Sequence, residues 1–194
     1  YLTDRVDFAT FSGHKFHAVR GVGFVYKKAG KKITPLLTGG GQEKDFRSTT
    51  ENVAGIASMA KALRLVTDKE AFSLPKIAKM KKIIFDELAK YEDITIFSGE
   101  GEDFAPNILT FGIKGVRGEV VVHAFEEHQI YISTTSACSS KAGKPAGTLI
   151  SRGVPTKLAQ TAVRISLDDD NDMGQVEQFL TIFKQVYAKT QKVR

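Results

Sequence analysis

The first quarter of the chain alternates short apolar segments with turns rich in glycine and polar residues. Three of these segments are β-branched or aromatic and each predicts a β-strand: residues 6–11, 21–26 and 31–37. A polar stretch, residues 12–17, separates the first two strands. A glycine triplet, residues 39–41, then opens a loop that reaches Thr50.

The next segment changes to helical spacing. Apolar residues recur from Val53 to Val66, and Glu51 and Asn52 stand where a helix would be capped or opened. Residues 68–73 break the pattern, so a second helix is predicted from about Pro75 to Lys90. Its apolar face would comprise Ile77, Met80, Ile84 and Leu88. Four lysines, Lys76, Lys79, Lys81 and Lys82, lie on or beside the other face, which is typical of a solvated surface.

Strand and helix patterns alternate over the remaining residues. Strands are predicted at 94–97, 108–113, 129–133 and 162–167, and helices at 119–127 and 175–189. The last helix would turn Val176, Phe179, Ile182, Phe183 and Val186 inward. Strands interleaved with helices predict an α/β or α+β layer.

Composition narrows the class of protein without selecting a function. The 194 residues are 42% apolar and 26% charged, the balance of a folded chain, and their number allows one domain or two small ones. The net charge of +6 suits an anionic cofactor or partner, but the lysines and arginines lack the dense clustering of a nucleic-acid binder. A single cysteine excludes an internal disulfide and favours an intracellular, cytoplasmic protein. No apolar run predicts a membrane span.

The first residues of the chain also bear on whether it is a whole protein. It starts at Tyr1, without a methionine or the basic and apolar regions of a signal peptide, and runs directly into a predicted strand. Either the numbering was reset or the chain is a piece of something longer.

Lys15 is the first residue that could carry chemistry. It follows a predicted strand in a Ser-Gly-His turn, where its amine could form a Schiff base. Ser12 and His14 would supply donors to a phosphate. Most loop lysines are inert, so the pattern alone is weak. His14 and His17 also have the spacing of a metal pair, but no third ligand is evident and a metal site is not expected.

Cys138 and Arg164 are the other two residues that could carry chemistry. Cys138 lies in a loop of small polar residues after a predicted strand, a setting unlike that of an inert buried cysteine. His123 and His128 would be available to it in a cysteine hydrolase. Arg164 interrupts the apolar strand at 162–167, where burying a charged side chain would be costly. A bidentate clamp on a carboxylate would explain the arginine, and so would a position that faces outward.

Five motifs in order resemble the cysteine desulfurases of the NifS/IscS type, pyridoxal-phosphate enzymes of the class V aminotransferase family. They are the segment from Ser12 to Tyr26, the segment from Gly39 to Asn52, Ala105–Leu109, Ser133–Ser140 and Ala162–Leu167. The similarity covers nearly the whole chain but only the C-terminal half of the family. It therefore implies the C-terminal part of a pyridoxal-phosphate-dependent transferase fold. Residues 1–68 would be the tail of the large cofactor-binding domain, and residues 69–194 the small α+β C-terminal domain.

The resemblance also implies a role for each of these residues. Lys15 would bind pyridoxal 5'-phosphate covalently, Ser12 and His14 would hold its phosphate, and Thr50 would reach the phosphate of a neighbouring subunit in a homodimer. Arg164 would hold the carboxylate of L-cysteine, and Cys138 would take its sulfur as a persulfide, leaving L-alanine. A sulfur-acceptor or scaffold protein for iron–sulfur cluster, thio-cofactor or tRNA synthesis would be the partner, with no direct role for nucleic acid or a membrane.

The half of the family that precedes this segment carries the aspartate that pairs with the pyridine nitrogen and the histidine that stacks on the ring. Neither is assigned in this chain, so we expect the fragment alone to be inactive and to bind the cofactor poorly. Two alternatives stay open: an aminotransferase-like enzyme that uses Lys15 but not Cys138, and a non-catalytic fragment that docks sulfur-acceptor proteins.

Overall fold

In the computed structural model, residues 2–101, 103–134 and 147–191 are described. The chain divides into two compact units, residues 1–71 and 72–194. Cys138 lies outside the described residues, and of the family motif around it only Ser133 and Thr134 are described. Within the described part of the chain, every helix is too short or too polar to cross a membrane.

The first unit is built on a β-hairpin. Strands β1 (Phe8–Ser12) and β2 (Gly23–Lys27) pair antiparallel, and a 3₁₀ turn (Gly13–Phe16) follows β1 directly. The predicted strand at 31–37 is wrong, because the described backbone from residue 28 to residue 52 forms only turns and loops. Pro35 lies in that segment and has no N–H to donate to a neighbouring strand.

One long helix replaces the two predicted helices. Helix α1 runs from Val53 to Leu88 with Pro75 inside it, and the division between the two units falls within its length. The Asn52 side chain caps it, because its Oδ1 accepts a hydrogen bond from the N–H of Gly55 at 3.0 Å. The break predicted at residues 68–73 is wrong: proline removes one backbone donor, and strong helix formers such as Lys69, Glu70 and Ala71 continue the helix up to it.

The second unit contains a four-stranded antiparallel sheet in the order β3-β4-β6-β5. Its strands are β3 (Ile94–Ile96), β4 (Ile108–Ile113), β5 (Ser133–Thr134) and β6 (Ala162–Ser166). Its helices are α2 (Gly118–Glu126), α3 (Gly147–Ser151), α4 (Thr156–Ala159) and α5 (Met173–Gln191). The predicted strand at 129–133 is confirmed only at its end, where Ser133 begins β5.

The main core lies on one face of this sheet. Leu109, Phe111 and Ile113 of β4 alternate inward and are fully buried with Val121 and Phe125 of α2. Helix α5 contributes Val176, Phe179, Phe183 and Val186, as its spacing predicted, while Ile182 is partly buried against them. The C-terminal part of α1 completes this core through Ile77, Met80, Ile84 and Leu88, also as predicted.

Candidate active site

The Lys15 turn is held in place by a close backbone approach at Gly13. The N–H of Gly13 donates to the carbonyl of Val22 at 2.9 Å, and the carbonyl of Gly13 accepts from the N–H of Ala18 at 3.0 Å. A Cβ at position 13 would lie 3.0 Å from both the Val22 carbonyl oxygen and the Ala18 methyl group, tighter than side chains normally allow. A larger residue at position 13 would therefore push against the Val22 backbone and Ala18, and glycine avoids that crowding.

This turn carries three polar residues that are close together in the sequence. Ser12 ends β1, His14 and Lys15 lie in the 3₁₀ turn, and all three residues are exposed. His17 follows with φ of 70°, a left-handed conformation that closes the turn. One exposed turn thus carries a hydroxyl, an imidazole and an amine.

Thr50 and Arg47 belong to the same unit. Both are exposed and lie in the loop that precedes α1, with Thr50 three residues before its first residue. Thr50 is therefore accessible on the surface of the first unit.

Arg164 occupies the face of the second unit's sheet that is opposite the main core. Its neighbours Val163 and Ile165 are both buried in that core, so strand alternation turns Arg164 to the other side. Arg164 is half-buried there, and in register it faces Thr110 on β4 and Ser133 on β5. Because strand alternation turns the side chain to the other face, this arginine does not enter the main core. A clamp on a carboxylate and an outward-facing position are both compatible with this placement.

The register of β5 places Arg164 next to the strand that leads to Cys138. Ser133 is the partner of Arg164 and Thr134 is the partner of Val163. Cys138 follows Thr134 by four residues in the sequence. The arginine and the approach to the cysteine loop therefore belong to adjacent strands, although their motifs lie about 25 residues apart in the chain.

Two glycines allow the segment before Arg164 to lie close to the sheet and to α2. A Cβ on Gly112 would collide with the Thr161 side chain, and one on Gly118 would lie 2.7 Å from the carbonyl oxygen of Ala162. The N–H of Gly118 also donates to the carbonyl of Gln160 at 3.0 Å. These contacts hold the beginning of β6, and with it the register of Arg164.

Lys81 is buried, although its position among the lysines of this helix predicts a solvated surface. It is 6% exposed, and its Nζ donates to the carbonyls of Gly99 and Ala105 at 3.1 and 2.9 Å. Burial lowers the pKa of Lys81, and the nearby Glu100 opposes that shift. The spacing of Lys81 from Ile77 and Ile84, four and three residues, could have revealed a position on the buried face.

The histidine considered for a cysteine hydrolase lies on the surface of α2. The Nδ1 of His123 is 2.8 Å from a carboxylate oxygen of Glu126, one helical turn away, and the histidine side chain is 76% exposed. Its observed neighbour is thus an acidic side chain of its own helix.

Comparison with known proteins identifies the family. The aminotransferase class-V family matches residues 4–179. A NifS/IcsS protein homolog of Lactobacillus delbrueckii subsp. bulgaricus is 46% identical over 99% of this chain and 50% of its own length. A cysteine desulfurase IscS of Dictyoglomus turgidum is 34% identical over 84% of this chain and 41% of its own length.

A solved structure supports the same assignment. The NifS-like protein of Rickettsia africae superposes with a TM-score of 0.82 at 32% identity, covering 94% of this chain and 48% of the other. The chain thus spans about half the length of the relatives it matches, which confirms the expected match to half of a longer protein. With the ordered motifs and the mixed α/β fold, these matches show that the chain belongs to the class V aminotransferase family and is related there to the NifS/IscS cysteine desulfurases.

Proposed function

We propose that this chain supplies the C-terminal part of a pyridoxal-phosphate-dependent cysteine desulfurase. Such an enzyme converts L-cysteine to L-alanine and passes the sulfur to a cysteine thiol. The observation that carries the proposal is the β5–β6 register, which brings Arg164 next to the strand that leads to Cys138. A carboxylate held by Arg164 would place a small amino acid beside the end of that strand.

The donors on the Lys15 turn fit one end of the cofactor. Class V aminotransferases and cysteine desulfurases are pyridoxal-phosphate enzymes. Here Ser12 and His14 would donate to the phosphate, and the close approach at Gly13 keeps side-chain bulk out of the turn. Lys15 would hold the aldehyde carbon through its exposed amine. Thr50 would donate to the phosphate bound by a neighbouring subunit of a homodimer.

The remaining steps assign work to this chain's own residues. When bound, the cofactor withdraws electrons from the substrate's α-carbon. Lys15 would move a proton at that carbon, while Arg164 fixes the substrate carboxylate. The Cys138 thiolate would form a sulfur–sulfur bond as the carbon–sulfur bond of cysteine breaks. The β-carbon that loses the sulfur takes up a proton, so that L-cysteine and one thiol give L-alanine and one persulfide.

Desulfurase activity is expected only from the longer protein. The ring contacts of the cofactor are expected from the preceding half of the family, so the 194-residue chain alone would not turn over L-cysteine. Its persulfide would serve a sulfur-acceptor or scaffold protein in the synthesis of iron–sulfur clusters, thio-cofactors or thiolated tRNA. The compartment in which this takes place is proposed to be the cytoplasm.

A fused protein tests the proposal. The first half of the Lactobacillus homolog is joined to this chain, supplied with pyridoxal phosphate and L-cysteine, and assayed for alanine and for a persulfide on Cys138 by mass spectrometry. Cys138→Ser should abolish persulfide and sulfide, and Lys15→Ala should also abolish the cofactor absorbance. Continued sulfide production by Cys138→Ser would contradict the proposal, and transamination by that variant would favour the aminotransferase alternative.

The chain alone provides a second test. We expect no cofactor absorbance band from it when pyridoxal phosphate is added. A band that Lys15→Ala removes would show that this half is sufficient to bind the cofactor.

A further inference from the structure

Arg164 belongs to a row of three polar residues that crosses three strands of the second unit. Thr110 on β4 and Ser133 on β5 are its register partners, one on each side. Register partners point to the same face of a sheet, so both hydroxyls lie on the face of Arg164. All three residues are half-buried, which leaves part of each accessible. We call these three residues the Arg164 row.

The backbone of Thr110 indicates which of the two hydroxyls is nearer to the arginine. Its N–H donates to the Ser98 hydroxyl at 2.8 Å, and its carbonyl accepts from the N–H of Phe97 at 2.8 Å. Both groups therefore point away from β6, which makes Thr110 and Arg164 a non-hydrogen-bonded pair. Side chains lie closer in such a pair than in the hydrogen-bonded pair that Arg164 forms with Ser133.

The two hydroxyls of the row are available to a ligand. Within the described ranges, neither the Thr110 hydroxyl nor the Ser133 hydroxyl makes a hydrogen bond. The hydroxyls of Thr161 and Thr190, by contrast, donate to carbonyls three residues earlier. A hydroxyl carries one proton to donate, so Thr110 and Ser133 add two donors beside the guanidinium.

The surroundings of the row suit a small anion. Arg164 carries the only charge that the described strands β3 to β6 place on this face. The other strand positions of the face are uncharged: Thr95, Ile108, Gly112, Ala162 and Ser166. Next to the row lies a small buried apolar cluster that includes Leu149 and Ala162, with Phe97 packed against it. Apolar neighbours lower the local dielectric constant and so strengthen a hydrogen bond between charged groups.

We propose that the hydroxyls of Thr110 and Ser133 bind a small carboxylate together with Arg164. An ionised carboxylate accepts about four hydrogen bonds, so a bidentate arginine leaves room for two hydroxyl donors. Thr110 would contribute more than Ser133, because its pair with the arginine is the closer one. That this carboxylate is the one of L-cysteine rests on the proposed function; the binding of an acid by these three residues does not.

A binding measurement tests the row without depending on the reaction. The first half of the Lactobacillus homolog, fused to this chain, is prepared without cofactor and titrated by calorimetry with 3-mercaptopropionate. This compound has the carboxylate and thiol of L-cysteine but no amine. Its neutral methyl ester is the control ligand. We expect the acid to bind about tenfold more tightly than the ester, because only the acid forms charge-assisted hydrogen bonds.

Single variants then remove one hydroxyl at a time. Thr110→Val keeps the shape of the side chain and should weaken binding of the acid about tenfold, and Ser133→Ala should weaken it about threefold. Thr110→Ser keeps the hydroxyl and should restore most of the affinity. Thr95→Val removes a hydroxyl from the same face outside the row, so it should change the affinity less than about twofold. Thermal melting followed by circular dichroism shows that each variant is folded, and Thr110→Ala replaces Thr110→Val if the valine variant is not.

Turnover by the fused protein with cofactor gives a second measurement. Thr110→Val should raise the KM for L-cysteine about tenfold and leave kcat within about twofold, because a contact made equally to the substrate and to the transition state is lost. Thr95→Val should leave both constants unchanged.

Three results would overturn the inference. They are equal affinity of the wild-type protein for the acid and the ester, unchanged affinity of Thr110→Val for the acid, and an equal loss of affinity in Thr110→Val and Thr95→Val. A failure of the proposed function looks different: the acid binds and the variants weaken it as expected, but the fused protein makes no alanine from L-cysteine.

Discussion

Replacing Lys81 by methionine tests the idea that one buried ammonium holds the loop between β3 and β4. The side chain is 6% exposed and donates to Gly99 and Ala105, which lie towards the two ends of that loop. Methionine has a similar length and no donor, so Lys81→Met removes both hydrogen bonds while filling most of the same space.

The expected loss is set by two opposing effects. A hydrogen bond from a charged group contributes about 1.5–3 kcal/mol, so two contribute roughly 3–6 kcal/mol. Burying an ammonium costs several kcal/mol, and the lowered pKa of Lys81 shows that this cost outweighs the attraction of Glu100. The Ala105 residue is also exposed, so water can replace part of what is lost. We expect a net loss of about 2 kcal/mol in the free energy of unfolding.

Two measurements on the full chain check this value. Urea unfolding followed by circular dichroism gives the change in free energy, since the chain has no tryptophan to report by fluorescence. Hydrogen exchange over residues 103–113 gives the local effect, because a loss of about 2 kcal/mol would speed exchange roughly thirtyfold.

The neighbouring lysine is the control. Lys82 pairs with Asp86 and Glu100 at the surface, and its side chain is 57% exposed. Lys82→Met should therefore change stability little. If Lys81→Met is as stable as wild type, or more stable, the ammonium is not what holds the loop.

Three further predictions concern the second unit. Burial lowers the pKa of Lys81, so between the pKa of the folded chain and 10.5 the unfolded chain binds a proton that the folded chain has lost. The free energy of unfolding should therefore rise with pH in that window. Lys81→Met should lack this contribution when the two proteins are compared by urea unfolding at a series of pH values. Gly112→Ala should cost about 1–3 kcal/mol because its methyl group would meet Thr161, and a Gly112→Ala/Thr161→Ala double variant should recover part of that loss; additive losses would contradict the contact. Phe183→Ala should cost about 3–5 kcal/mol, because the ring is fully buried among other aromatic rings, and a thermal shift near zero would contradict that packing.

Local features of the sequence predicted much of the fold. Strand β4, helix α2 and helix α5 lie where periodicity placed them, and Asn52 caps α1 as its position indicated. The inward side chains of α5 were also identified correctly. These features depend on residues within one or two turns of each other, so the sequence alone contains the relevant information.

The predictions failed where the preference of a single residue was outweighed by its neighbours or by partners elsewhere in the chain. Pro75 was expected to begin a helix but lies inside α1, where good helix formers on both sides outweigh one missing hydrogen bond. Lys81 was expected in solvent because of its charge, yet its amine reaches two carbonyls far along the chain. A residue's type did not decide its burial; the partners available to it did.

The order of the motifs, the family to which they point and the residue types proposed for the chemistry are all visible in the amino-acid sequence. The pairing of Ser133 with Arg164 and the direction of the arginine, away from the main core, became visible only in the folded sheet. Strand register depends on hydrogen bonds between segments far apart in the chain, and a shift of one residue would turn every side chain to the other face. For that reason the motifs could name Arg164, while the sheet was needed to place it beside the strand that leads to Cys138.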